Sequence, residues 1–297
     1  MEILLFFESI RSSGLNTLFL GITYLGQQEL MIGLFCVLFW LVDKQLAYRI
    51  GASAFAGIGL NQLLKNVFAV PRPFVRWPQV NPVYEALPAA TGYSFPSGHT
   101  ANAVAVYGMA GTRTHGWLRT ILWSLPFLVA LSRMYLGVHT LADVGVSLLI
   151  GFPLVAMIHG MVDAFEADRI NALTLMGAGL AGAFLLVLAG FAAPGSLEPE
   201  QALDCFKAAG GIAGFAVGFY VEYRWIRFSP KGKAGYQVQK MILGLGVTVL
   251  LLFAAKSPLN GLFGETVGSM MRYGLVSIWI VAGLPAIAEW MRPRRVC

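Results

Sequence analysis

Long apolar stretches recur along almost the whole chain, and they constrain its fold more than any other feature. A helix of about 20 apolar residues crosses the hydrocarbon core of a bilayer and satisfies its own backbone hydrogen bonds there. The pattern therefore predicts an all-α, polytopic membrane helical bundle. The mostly apolar stretches lie at roughly 24–43, 50–68, 98–113, 118–134, 139–162, 171–193, 206–225, 240–256 and 269–291.

The composition excludes a soluble protein of this length. Charged residues make up 12% of the 297 residues and hydrophobic residues 57%, whereas a soluble domain carries about 25% charged residues. Cys36, Cys205 and Cys297 lack metal-ligand spacing and are interpreted as small apolar core residues. The net charge of +6 requires no nucleic-acid partner, because basic residues that anchor membrane spans account for it.

The ends of the predicted spans give the orientation of the chain. Thirteen of the 21 Lys and Arg residues lie in, or border, connections on one side, and the positive-inside rule makes that side cytoplasmic. The opposite, outer side holds the acidic segment 194–204 and the loop 71–97. The first 23 residues are expected to form an amphipathic helix on the membrane surface, because Glu8 and Arg11 interrupt their apolar run.

Three polar clusters lie at span ends on the predicted outer side. The first contains Lys65 and Arg72, the second is PSGH at 96–99, and the third is SRMYLGVHTLAD at 132–143. Taken singly, each has a structural explanation. The first two cations suit helix ends whose side chains reach the head groups, and Ser97 suits a helix cap.

Together the clusters indicate a phosphate site. Guanidinium groups bind phosphate oxygens through two parallel hydrogen bonds, and Asp143 is the one carboxylate near the cations in these clusters. A turn at Ser97 and Gly98, just before a helix, is expected to offer backbone N–H groups and the positive end of a helix dipole. The cations are Lys65, Arg72 and Arg133.

The two histidines of the clusters have different surroundings in the sequence. His139 and Asp143 are four residues apart and share one face of a helix. A carboxylate in that position fixes the tautomer of the imidazole and makes its other nitrogen a better nucleophile. His99 has no obvious carboxylate partner, so we expect it to donate the proton to a leaving alkoxide.

The motifs Lys-x6-Arg-Pro, Pro-Ser-Gly-His and Ser-Arg-x5-His-x3-Asp, in this order, resemble the signature of the type 2 phosphatidic acid phosphatase superfamily. The match is complete at Lys65, Arg72, Pro73, Pro96 to His99, Ser132, Arg133, His139 and Asp143. The resemblance covers roughly 25–165 and implies a helical bundle that uses no metal or other cofactor and hydrolyses phosphoesters through a phosphohistidine. It implies that His139 is the nucleophile, that Asp143 orients it and that His99 is the acid. The residues implied to hold the phosphate are Lys65, Arg72, Ser97, Gly98 and Arg133.

The superfamily also contains soluble acid phosphatases and vanadium-dependent haloperoxidases, and the apolar spans indicate its membrane lipid phosphatase branch. We expect the interfacial helix at 1–23, a six-helix phosphatase core at 24–165, and a C-terminal extension of about three more transmembrane helices at 166–297. The extension faintly resembles members that include sphingosine-phosphate-type phosphatases, through VEYRWIRF at 221–228. Glu222 in this segment is expected to pair with an arginine, or the basic loop after it to bind anionic lipid head groups.

Three alternatives stay open. A serine hydrolase would use Ser97 with His139 and Asp143, but the G-x-S-x-G elbow is missing and the cations would be surplus. A transporter or lipid-binding membrane protein would need the cations but not the second histidine, His99. A phosphotransferase would share the phosphohistidine step and pass the phosphoryl group to an acceptor other than water.

The expected partners are a lipid phosphate substrate and membrane lipids, with no nucleic acid. Isoprenoid pyrophosphate, phosphatidate, phosphatidylglycerol phosphate and sphingoid phosphates all carry a terminal phosphate on an apolar chain, and the sequence does not choose among them. It does not specify an oligomeric state either. Length and spans suit a multi-pass protein of a bacterial inner membrane with its site on the outer face.

Overall fold

A computed structural model describes residues 1–192 and 199–292, without the side chains of 199–202. Within these ranges the chain is helical and has no strand, which confirms the all-α prediction. The α-helices are α1 (Glu2–Ser9), α2 (Ser13–Tyr24), α3 (Gln28–Val37), α4 (Lys44–Phe68), α5 (Pro73–Arg76), α6 (Gly98–Ala103), α7 (Met109–Thr112), α8 (Gly116–Tyr135), α9 (Leu141–Glu166), α10 (Ala172–Ala192), α11 (Pro199–Val221), α12 (Ala234–Phe253), α13 (Lys256–Ile278) and α14 (Leu284–Met291). Short π-helical segments lie at Leu38–Val42, Val104–Gly108, Glu222–Ile226 and Trp279–Gly283.

Four helical runs in the described ranges are long and apolar enough to cross a membrane. They are α9, α10, α12 and the run Lys256–Met291 that includes α13 and α14. A fifth candidate is the pair of helices Ser13–Tyr24 and Gln28–Val42. The two meet the requirement only when they are counted as one span, and the angle between them is 48°. The sequence therefore predicts more spans, nine, than the number of described helices that meet this requirement.

Four of the predicted spans coincide with helices that fall short of it, and one of them is 206–225, which lies mostly in α11. The stretch 50–68 lies in α4, and 118–134 lies in α8. The stretch 98–113 begins with α6 and ends with α7, which stops at Thr112. Lys65 and Arg133 lie in α4 and α8, and polar side chains lower the mean hydropathy of a helix. The helical run 98–112 is instead shorter than the roughly 20 residues that a span needs.

The N-terminal segment contains two helices where one surface helix was expected. The chain leaves α1 at Ile10 and starts α2 at Ser13, because the Ser12 hydroxyl accepts a hydrogen bond from Leu15 N at 3.3 Å and caps the new helix. Leu4 of α1 is 2% exposed and packs in a core cluster with Met134. Its location at a membrane surface stays a prediction.

The chain divides into two compact units. Unit 1 comprises Met1–Leu34 and Arg49–Gly160, and unit 2 comprises Phe35–Tyr48 and the chain from Met161 onward. All three polar clusters lie in unit 1.

Small residues allow close helix packing in unit 2. A Cβ atom on Gly214 of α11 would lie 2.3 Å from the Gly274 carbonyl oxygen of α13. A larger residue would therefore force these two helices apart.

A buried carboxylate organises the segment after α11. Glu222 is fully buried and accepts hydrogen bonds from Lys44 Nζ at 2.8 Å and Phe228 N at 2.7 Å. The Tyr48 hydroxyl also donates to it. The expected pairing with an arginine is therefore wrong, because a lysine from the start of α4 provides the charge.

Candidate active site

The turn between α8 and α9 brings Arg133 and His139 together. Gly137, just after α8, has a φ of +77°, a left-handed conformation that glycine adopts without strain. The chain reverses there, and the N–H groups of Val138 and His139 both donate to the Arg133 carbonyl, at 3.2 and 3.3 Å. The Ser-Arg-x5-His spacing thus corresponds to a helix end that folds His139 back onto the last turn of α8.

Thr140 and Asp143 start α9 with reciprocal hydrogen bonds. Thr140 N donates to Asp143 Oδ2 at 2.7 Å, and Asp143 N donates to Thr140 Oγ1 at 3.3 Å. In such a capping box two side chains satisfy N–H groups that a helix start leaves free. The box fixes the carboxylate one turn beyond His139, with Oδ2 at 3.4 Å from His139 Nδ1.

Ser94 joins this pair, although it was not among the predicted site residues. Its Oγ donates to Asp143 Oδ2 at 2.5 Å and lies 3.4 Å from His139 Nδ1. Its backbone N–H donates to the Val70 carbonyl at 2.8 Å, which holds the loop in place. Ser94, His139 and Asp143 are each at most 2% exposed. The predicted pair is therefore a buried cluster of three side chains.

Arg72 faces the opposite side of the His139 ring. Its Nη1 lies 2.7 Å from His139 Nε2. Because a guanidinium group only donates hydrogen bonds, Nε2 is the acceptor and the neutral ring carries its proton on Nδ1, toward Asp143 and Ser94. The other acceptors of the guanidinium are the backbone carbonyls of Thr91, Gly92 and Val138. Burial lowers the pKa of Arg72 to about 10 while Asp143 raises it, so the group stays charged at neutral pH.

The Pro-Ser-Gly-His turn is tied to α9 through its backbone. Ser97 N donates to the Asp143 carbonyl at 3.1 Å, so this N–H, which was expected to face a phosphate, is already occupied. The Ser97 carbonyl accepts from Ser147 Oγ at 3.0 Å. The Ser97 hydroxyl accepts bonds from Thr100 N and Oγ1, at 3.5 and 3.1 Å, and keeps its own proton to donate.

His99 and Arg133 carry buried nitrogen atoms that no hydrogen-bond partner in residues 1–192 or 199–292 satisfies. They are His99 Nε2 and Arg133 Nε and Nη2. Arg133 is fully buried, and its Nη1 donates to Thr23 Oγ1 at 2.9 Å. An unpaired buried polar group costs about 1–3 kcal/mol, and a bound anion is a partner that would satisfy the guanidinium.

The remaining predicted cation, Lys65, lies in the last turn of α4. Its charge, together with those of Arg72 and Arg133, acts on both His99 and His139. The structure therefore brings the side chains of the three sequence clusters into one electrostatic neighbourhood. In the part of the chain that the structure describes, no group of three or more His, Cys, Asp or Glu side chains is arranged to hold a metal ion.

Two family models match the chain. The model of the PAP2 superfamily matches residues 46–166, and the model described as PAP2 superfamily phosphatase, transmembrane extension, matches residues 206–294. The first match contains all of the predicted site residues. The second falls on the C-terminal extension that the apolar pattern predicted.

The chain is similar to three characterised proteins over different lengths. Phosphatidylglycerophosphatase B of Bacillus subtilis is 29% identical, over 53% of this chain and 78% of the relative. Lipid phosphate phosphatase delta of Arabidopsis thaliana is 23% identical, over 86% of this chain and 66% of the relative. Undecaprenyl-diphosphatase BcrC of Bacillus subtilis is 34% identical, over 37% of this chain and 55% of the relative.

The first match spans all three sequence motifs, and the apolar helices agree with the transmembrane extension. The resemblance to the type 2 phosphatidic acid phosphatases is thereby confirmed. The chain is a multi-pass membrane protein and belongs to the PAP2 superfamily.

Proposed function

We propose that this protein is an integral-membrane lipid phosphatase that removes a terminal phosphate from a lipid phosphate or pyrophosphate through a phosphohistidine on His139. One observation carries the proposal. Arg72 donates to His139 Nε2 while Nδ1 faces Asp143 and Ser94, so the nitrogen that carries the lone pair is the one that faces the Arg72 guanidinium. A nucleophile for an anionic phosphate ester needs this orientation and this charge environment.

The phosphate is held, in this proposal, by the cations and by the Pro-Ser-Gly-His turn. Arg133 supplies Nε and Nη2, its two nitrogen atoms without a partner among the described residues. Arg72 transfers its Nη1 hydrogen bond from His139 Nε2 to a phosphate oxygen when phosphorus approaches that nitrogen. Ser97 donates its hydroxyl proton rather than its backbone N–H. Lys65 and the Gly98 backbone complete the group.

The chemistry proceeds in two displacements. The Nε2 lone pair of His139 attacks phosphorus, the bond from phosphorus to the leaving oxygen breaks, and His99 gives that oxygen its proton. Asp143 accepts the Nδ1 hydrogen bond and stabilises the cationic adduct. Water then attacks phosphorus, the bond from phosphorus to Nε2 breaks, His99 takes a proton from the water, and inorganic phosphate leaves with His139 restored.

No step in this scheme requires a metal ion, since the cations neutralise the phosphate and the histidines move the proton. We therefore expect hydrolysis to continue after chelation. Vanadate is expected to inhibit, because it adopts the five-coordinate geometry of the phosphoryl transition state that the cations would stabilise.

The substrate class follows from the membrane setting. The relatives include a phosphatidylglycerophosphatase, a lipid phosphate phosphatase and an undecaprenyl-diphosphatase. The lipids in these names have in common a terminal phosphate on an apolar chain, and this is the group that the site would recognise. The site is proposed to open on the outer face of a bacterial inner membrane, because the basic connections lie on the other side in the predicted topology.

A phosphate-release panel tests this function. Purified protein in detergent is given isoprenoid pyrophosphate, phosphatidate, phosphatidylglycerol phosphate and sphingosine phosphate, each with and without EDTA and vanadate. Release from at least one lipid that survives EDTA and stops with vanadate is the expected result. Binding without release from any of them would favour a lipid-phosphate transporter. Transfer to a second alcohol in place of release would favour a phosphotransferase.

A further inference from the structure

The helix pair at the N-terminus reaches the candidate site from outside the region that the PAP2 superfamily model matches, which begins at residue 46. Thr23, in the last turn of α2, is 6% exposed, and its Oγ1 accepts a hydrogen bond from Arg133 Nη1 at 2.9 Å. It is the hydrogen-bond partner that the described residues provide for the Arg133 side chain.

The bend that follows Thr23 packs against the histidine turn. A Cβ on Gly26 would lie 2.6 Å from the His99 carbonyl oxygen and 2.9 Å from Val129 Cγ1. Asn102 Nδ2 donates to the Gly26 carbonyl at 3.3 Å. The same few residues of the N-terminal segment therefore contact both the helix that starts at the Pro-Ser-Gly-His turn and the guanidinium of Arg133.

A second N-terminal contact fixes the end of α8. Arg11 Nε and Nη2 donate to the Tyr135 carbonyl at 3.2 and 2.9 Å, and Nη1 donates to the Asn81 carbonyl. Tyr135 lies two residues beyond Arg133, so the backbone near Arg133 is also held by the connection between α1 and α2. The side chain and the backbone of this arginine are thus both fixed by residues 11–23.

We infer that Thr23 is a positioning residue for phosphate binding and that the segment Arg11–Gly26 is part of the catalytic unit. The inference rests on the proposed function. The Thr23 oxygen engages Nη1 and fixes the plane of the guanidinium, which directs Nε and Nη2, the edge that binds two phosphate oxygens, toward the ligand. Without the hydroxyl, the described residues offer the guanidinium no side-chain acceptor to fix that plane.

The test compares Thr23→Val, which keeps the shape of the side chain, with Thr23→Ser, which keeps the hydroxyl. Thr17→Val is the matched control, because Thr17 is an exposed residue of the same helix whose hydroxyl bonds only the Ser13 carbonyl. The readouts are KM, kcat and the inhibition constant of vanadate. Only kcat depends on the fraction of enzyme that is folded.

Thr23→Val is expected to raise KM and the vanadate inhibition constant about tenfold, the loss of one hydrogen bond to a charged group. Thr23→Ser and Thr17→Val should remain within about twofold of the wild type. In an Arg133→Lys background, Thr23→Val should add little, because its effect passes through the guanidinium. Thr23→Ala also lacks the hydroxyl and should raise the vanadate inhibition constant by the same factor as Thr23→Val. This second variant distinguishes loss of the hydroxyl from a folding defect that only valine causes.

Three outcomes overturn the inference. The first is vanadate inhibition of Thr23→Val equal to that of the wild type. The second is an equal loss in Thr23→Ser, which would make packing rather than the hydroxyl responsible. The third is full additivity with Arg133→Lys. Failure of the wild type to hydrolyse any lipid phosphate would instead overturn the proposed function, so the two failures are distinguishable.

Discussion

At the residue scale, the groups next to the two ring nitrogens of His139 decide which nitrogen can act as the nucleophile. Asp143 and Ser94 lie on the Nδ1 side, and Arg72 lies on the Nε2 side. Ser94 bonds the carboxylate that faces Nδ1, so it restricts where that carboxylate can point. This makes Ser94 a positioning residue in the proposed mechanism.

Ser94→Ala is expected to lower kcat about tenfold to a hundredfold, the worth of a buried hydrogen bond to a charged group. KM should change little, because Ser94 contacts the carboxylate and not the phosphate. Steady-state kinetics on the best lipid substrate measures both. Ser124→Ala is the control, since Ser124 is exposed and bonds only the Ile121 carbonyl. A rise in KM with kcat unchanged would contradict the positioning role.

His99→Ala is expected to depend on the leaving group. With a lipid alcohol, which leaves poorly without a proton, the rate should fall by about 10² to 10⁴, the usual contribution of a general acid. Nitrophenyl phosphate needs little protonation and should be largely spared. His115→Ala, an exposed histidine at the start of α8, should behave as the wild type. Equal losses on the two substrates would assign His99 to binding instead.

The site residues close in sequence could be predicted, and the distant ones could not. The His139–Asp143 spacing is local, so helix geometry alone puts the two on one face. The Thr140-x-x-Asp143 capping box was also readable, and it would have explained how the carboxylate is fixed. Ser94 lies 45 residues from His139 and Thr23 lies 110 residues from Arg133. Contacts over such separations depend on tertiary packing, which no local pattern encodes.

At the element scale, fewer described helices meet the length and hydropathy requirement than the nine predicted spans, because hydropathy records apolar stretches and not helix ends. The predicted stretch 24–43 includes the bend after Tyr24, where one helix ends and the next begins at Gln28. The stretch 98–113 is helical only as far as Thr112, which leaves it shorter than the roughly 20 residues that a span needs. In the C-terminal extension, α10, α12 and the run Lys256–Met291 meet the requirement, whereas α11 does not.

Gly214→Val is expected to destabilise the pairing of α11 with α13. The added side chain meets the Gly274 backbone, which cannot move away as a side chain can, and overpacking of this kind costs about 1–3 kcal/mol. Thermal unfolding in detergent measures the effect. Gly177→Val on α10 makes the same change of helix propensity where nothing lies within 4 Å. Equal melting temperatures for the two variants would show that the contact contributes nothing.

At the scale of the whole molecule, the proposal requires the site to face the outer side of the membrane. In a background without the native cysteines, Gln79→Cys should react with an impermeant maleimide on intact spheroplasts, because Gln79 is exposed in the loop that precedes the Pro-Ser-Gly-His turn. Lys233→Cys, in the basic connection, should react only after lysis. The reverse pattern would place the chemistry in the cytoplasm and contradict the predicted topology.

The most direct test of the central claim is to trap the phosphoenzyme. Wild-type protein is mixed with its lipid substrate carrying a radiolabelled terminal phosphate and quenched within milliseconds in alkali, because phosphohistidine is labile in acid. Label is expected on His139 and should be lost as inorganic phosphate appears, whereas His139→Ala should show neither label nor turnover. Label mapped to Ser97 or His99, or turnover that persists in His139→Ala, would contradict the central claim.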